Sequence, residues 1–159
     1  MILSRKIDAA LDGPEAGTLP CNVAVEDAGH RLTLRLTASG PVGLAFSSLD
    51  FATTARAEWT PAMLKSWGDR IAARVTYLME PLVVLEQDAL AGDVEIRSHA
   101  PTARGDGRAY YEIRIDRAGA LHLARVAFEE STRRRRPIDC MMTREVLERL
   151  VDDIITCLP

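Results

Sequence analysis

The stretch YYEIRIDRAGALHLARVAFE, Tyr110–Glu129, decides the fold. Apolar and polar residues alternate on both sides of a short turn segment. That period of two belongs to strands with one buried and one wet face, so the stretch reads as a β-hairpin in an antiparallel sheet. The turn of a hairpin fixes which residues oppose each other. A slip of one residue moves every side chain to the opposite face. A tip at Arg117-Ala118 places Ile113 opposite His122 and Tyr111 opposite Ala124.

The next stretch, EESTRRRRPIDCMMT (Glu129–Thr143), reads as a second turn centred on Ser131, which places His122 opposite Cys140. The face expected to meet the helices then holds Tyr111, Ile113, Ile115, His122, Ala124, Val126, Phe128, Ile138, Cys140 and Met142. The other face holds Glu112, Arg114, Asp116, Leu121, Leu123, Arg125, Arg133, Arg135 and Asp139, with Glu95 and Arg97 on the preceding strand. Such a face is explained by cross-strand ion pairs without a ligand. The arginine run is expected to be a solvated hairpin end, partly neutralised by Glu129 and Glu130, with Arg134 and Arg136 snorkelling from the sheet end.

Working outward, residues 2–11 carry apolar side chains at helical spacing, and DGPEAGTLP (12–20) is a loop. Strands are expected at NVAVE, HRLTLRLT and from Val42 through Phe46, where the parity slips to Leu49 and Phe51, the sign of a bulge near Ser47–Ser48. Thr60-Pro61 starts a helix, with an N-cap threonine and a proline in the first turn. Its stripe, Leu64, Trp67, Ile71, Val75 and Leu78, predicts a long central helix over about 61–79, and Pro81 stops it. Strands follow at 82–88, 93–99, 110–116, 120–129 and 138–142. A C-terminal helix over about 143–157 is capped by Thr143. The fold class is α+β, a single domain spanning 1–159, with an antiparallel sheet, a meander in its C-terminal half, and helices packed on one face. The element order α-βββ-α-βββββ-α is similar to that of small acidic chaperones of bacterial secretion systems, in order only and with no shared motif.

A hydrophobic content of 47% with 27% charge suits a folded globular chain, and a net charge of -3 gives no general pull toward nucleic acid or anionic membrane. Only Lys6 and Lys65 among the 20 basic residues are lysines, a bias expected of a GC-rich bacterial proteome. Three cysteines, Cys21, Cys140 and Cys157, without CxxC spacing point to free thiols in a reducing compartment, so a bacterial cytoplasm is expected. No GxSxG, HExxH, P-loop or EF-hand pattern occurs. RGD at 104–106 reads as a turn. Trp59 and Trp67 read as core anchors, Asp152-Asp153 as the wet face of the last helix, and His30 and His99 as exposed.

The function expected is that of a non-enzymatic binding or adaptor module acting as a homodimer through the outward pair Leu121 and Leu123, two leucines on an otherwise charged face. A first alternative is a pocket for a small or haem-like ligand between sheet and helices, lined by Tyr111, His122, Cys140 and Met142. A second is an enzyme using a Cys140/His122 pair. No metal site and no nucleic-acid or membrane partner is expected, while the identity of any cofactor, protein partner or small-molecule partner is left open by the sequence.

Overall fold

The computed structural model describes residues 2–88, 93–98 and 102–159. Helix α1 (Ile2–Leu11) leads into β1 (Cys21–Asp27), β2 (His30–Ser39) and β3 (Gly43–Thr53). Helix α2 (Pro61–Arg74) precedes β4 (Leu82–Gln87), β5 (Val94–Ser98), β6 (Thr102–Arg104), β7 (Gly107–Ile115) and β8 (Leu121–Glu129). The chain ends with β9 (Arg134–Ile138), β10 (Cys140–Thr143) and α3 (Arg144–Thr156). All pairings are antiparallel and join into one sheet of order β1-β2-β3-β8-β7-β5-β4. The α+β fold, the C-terminal meander and α3 are as the alternation and capping signals predict.

Two joints tie the halves of the sheet together. β3 pairs with β8 over Leu49–Phe51 and with β10 over Gly43–Phe46, while β8 pairs with β9 over Arg125–Glu129. The strand read from the sequence at 138–142 is therefore broken at Asp139, its first part joined to β8 and its second to β3. The bulge near Ser47–Ser48 is present: Leu34 opposes Leu49 but Leu36 opposes Phe46, which leaves an extra residue on β3.

The inner face of the sheet and all three helices share one core, with Leu3, Ile7, Leu34, Phe46, Trp67, Ile71, Ile113, Leu123, Leu150 and Ile154 fully buried. Thr60 accepts the Met63 N–H and caps α2, and Thr143 caps α3 through Val146. Gly68 lets α2 press onto β5, because a Cβ there would lie 2.9 Å from Val94. The predicted extent of the central helix is corrected: α2 ends at Arg74, and Val75 has already left helical geometry (φ -83°, ψ 83°). Val75 and Leu78 are still buried beyond the helix end. The apolar spacing reported burial, which a non-helical segment satisfies equally well.

Both hairpin registers are corrected by one residue. The first loop has three residues, Arg117 to Gly119, with Gly119 left-handed at φ +77°. It is closed by Asp116 N–H to Ala120 O (2.9 Å), and the Asp116 carboxylate accepts the N–H groups of Ala118 and Ala120. Ile113 therefore opposes Leu123, and Arg114 opposes His122. In the second turn Glu129 opposes Arg134, leaving Glu130 to Arg133 as the loop, with Arg133 at φ +54°. Arg125 opposes Ile138 as a result.

Candidate functional site

The corrected register separates the residues expected to form a site. Leu121 and Leu123, expected on the outer face as an interface, are buried in the core beside Leu49 and Phe51 of β3. His122 lies on the outer face instead, where its Nδ1 meets Asp50 Oδ1 at 2.6 Å and both side chains are about half exposed. Neighbouring strands place Thr33, Asp50, His122, Arg114 and Glu95 in one row across that face. Cys140 opposes Phe46 and Met142 opposes Leu44, both on β3, so neither stands opposite His122. Tyr111 is in the core on β7 as its parity predicts, while Met142 is half-buried against that core. Burial pushes the Cys140 thiol up to about 12, which leaves it protonated and a poor nucleophile at neutral pH. The four residues Tyr111, His122, Cys140 and Met142 thus line no common pocket, and Cys140 and His122 form no dyad.

Arg125 takes the core position that His122 was expected to hold. Its guanidinium donates to both carboxylate oxygens of Glu80, at 2.9 and 3.0 Å, and lies 4.3 Å over the Tyr111 ring. Ser98 donates its hydroxyl to Glu80 (3.2 Å) and accepts the Tyr111 N–H (2.8 Å). This bidentate pair satisfies a buried charge with its counter-charge, the arrangement a buried arginine requires. The signal was available in the sequence: with the correct turn, Arg125 has core parity and must find an acid, and Glu80 follows the α2 stripe.

A second polar tie corrects the reading of Asp152-Asp153. Asp153 is buried, and it accepts from Arg74 Nε (2.6 Å) and Tyr77 OH (2.7 Å), so it fastens α3 to the end of α2. Burial and the neighbouring carboxylate hold the Tyr77 hydroxyl well above its ordinary range. Asp12 and Arg144 likewise tie the end of α1 to the start of α3, and the Arg144 hydrogen bond holds the Asp12 carboxyl below its usual range. Trp59 and Trp67 stack at 5.3 Å and anchor the core as expected. His30 is only half-buried and hydrogen-bonded to Thr53, and His99 lies outside the described residues.

The arginine run divides by face. Arg135 pairs with Glu112 on the outer face and, with Arg97, flanks the Tyr110 ring. Arg134 and Arg136 share the inner-face parity of Arg125 at the sheet end, and all four arginines are exposed. Ala103, Gly107 and their neighbours form the hairpin around Gly105, so RGD occupies a turn, and the Asp106 carboxylate accepts the Ser131 N–H.

Among the described residues, exposed apolar side chains mark the following two surfaces. β4 ends the strand order, with β5 as its sole partner among the described residues, and carries exposed Val83 and Leu85 on the outer face. A cavity of about 410 Å³ lies over the β7–β8–β9 end of the inner face, floored by Gly107, Ala109 and Ala127 and flanked by Met79 and Met141. Among the described residues no group of His, Cys, Asp and Glu could hold a metal ion, and no helix is long and apolar enough to cross a membrane. Comparison with protein-family models, curated proteins and solved structures found no match.

Proposed function

We propose that this chain is a non-enzymatic binding or adaptor module that acts as a homodimer, and that it pairs through β4, whose sole strand partner among the described residues is β5. The observation that carries this reading is the apolar edge itself. An edge strand offers a row of unpaired backbone groups, and proteins blunt such edges with charge, proline or a covering element. β4 has proline only before its start and acidic residues only at its end, and it exposes Val83 and Leu85 between them.

The edge is also self-complementary. Two copies of β4, antiparallel and centred on Val84, set Val83 of each opposite Leu85 of the other and gather four apolar side chains on one face. Burying one such side chain fully contributes roughly 1.5–3 kcal/mol, so the patch is of the size that favours association. The irregularity between Val84 and Glu86 turns Leu85 outward beyond the pairing with β5.

Amide hydrogen exchange tests the reading. The β4 amides should gain protection as protein concentration rises, while those of the opposite edge strand β1 do not. Exchange at β4 that is independent of concentration would overturn it.

A further inference from the structure

The end of β4 is more acidic than the strands around it can neutralise. At the irregularity that follows Val84, Glu86 stands directly opposite Glu95 of β5, and like charges so placed oppose the pairing. The two line a cavity of about 330 Å³ together with Asp88, Asp93 and Arg114. Glu95 is answered by Arg97 at 2.8 Å, and Glu112 on the next strand by Arg97 and Arg135. In the adjoining loop Arg117 and Asp116 offset each other. Glu86, Asp88 and Asp93 then face the single guanidinium of Arg114. The balance stays negative with Asp88 left out.

A second copy of the chain does not meet this charge. In the antiparallel pair centred on Val84, Glu86 and Gln87 of one copy lie opposite Leu82 and Pro81 of the other, and neither is a cation. The apolar part of the edge, exposed Val83 and Leu85, comes immediately before the acidic part. A strand added to a sheet edge gains affinity from main-chain hydrogen bonds and specificity from alternate side chains. Along β4 those side chains meet an apolar pair and then a negative cavity.

We propose that β4 also receives a strand of a partner protein, an extended segment in which basic residues precede two alternating apolar ones. The segment adds antiparallel, as every strand pair of this sheet does. Its apolar side chains then lie beside Leu85 and Val83, and its cations against Glu86 and Asp93. The inference rests on the reading of β4 as a pairing edge and names the partner that an adaptor requires. Because one edge holds one strand, the partner's segment displaces the second copy.

Two dye-labelled peptides test this by fluorescence anisotropy: Lys-Lys-Leu-Thr-Val-Thr, and the same sequence with glutamate for both lysines. The lysine peptide should bind the parent about tenfold or more tightly than the glutamate peptide, and that advantage should shrink as salt is raised. It should protect the β4 amides from exchange and bring the protein to the mass of one chain. The preference should reverse in Glu86→Lys. Glu86→Gln, which should weaken the preference, serves should the lysine variant fail to fold. Equal binding of the two peptides, binding of neither, or a preference unchanged in the Glu86 variants would overturn the proposal. In those cases β4 exchange that still responds to protein concentration leaves self-pairing standing, and exchange that does not removes self-pairing as well.

Discussion

Arg125 and Glu80 meet through two hydrogen bonds, 2.9 and 3.0 Å long, with side chains only 6% and 2% exposed. Removing one partner leaves a bare charge in the core, which typically costs about 3–5 kcal/mol, whereas removing both charges relieves much of that penalty. Arg125→Met should therefore destabilise strongly in urea denaturation. Adding Glu80→Gln to it should recover part of the loss, since glutamine still accepts from Ser98. Strictly additive losses in the double variant would mean that the two side chains do not act as a pair.

The thiols should react in an order set by burial. Cys140 is fully buried with its thiol pushed up to about 12, Cys157 is buried and also raised, and Cys21 is half-exposed. Peptide mapping after brief alkylation at neutral pH should find label at Cys21 first and at Cys140 last. The sign of the pH effect follows. Cys140 stays protonated in the fold while the unfolded chain ionises near 9.0, so its contribution to stability is full below that value and declines as the pH rises toward about 12. Rapid labelling of Cys140 in the folded protein would contradict its placement.

The register of the central hairpin is tested by two neighbouring residues. Leu123 is buried and His122 is half-exposed in a pair with Asp50. Leu123→Ala should cost about 2–5 kcal/mol, and His122→Ala about 0–1 kcal/mol. The reverse order would restore the register read from the sequence.

How far the sequence was legible turns on those same residues. Element types followed from periodicity, and the ends of α1 and α3 from apolar spacing and the Thr143 cap. The face of each strand in the second half depended on loop length. RAG and ESTR both admit more than one turn geometry, and Asp116 and Arg133 choose the longer loop through side-chain hydrogen bonds and a positive φ, respectively. One residue of error in each turn sent His122 inward and Leu121, Leu123 and Arg125 outward on paper. It also hid the Arg125–Glu80 pair. Parity survived on β7, where Tyr111, Ile113 and Ile115 face the core as expected. The junction of β9 and β10 at Asp139 was not legible, because it depends on where β3 and β8 cease to pair.

Gly119 carries two constraints at once. Its φ of +77° disfavours any side chain, and a Cβ there would lie 2.3 Å from the Trp59 ring. Gly119→Ala should exceed the roughly 1–2 kcal/mol expected from backbone strain alone. It should also change Trp59 emission, as the indole is pushed off the loop. An alanine variant as stable as the parent would show that the turn is not closed by this glycine.

The proposal that two copies join at β4 is tested most directly by the mass of the protein in solution. Light scattering on the eluting protein should give twice the 17.5 kDa chain mass, and Val83→Lys with Leu85→Lys should return it to a single chain. A parent protein that elutes at the mass of one chain at every concentration tested would contradict the account.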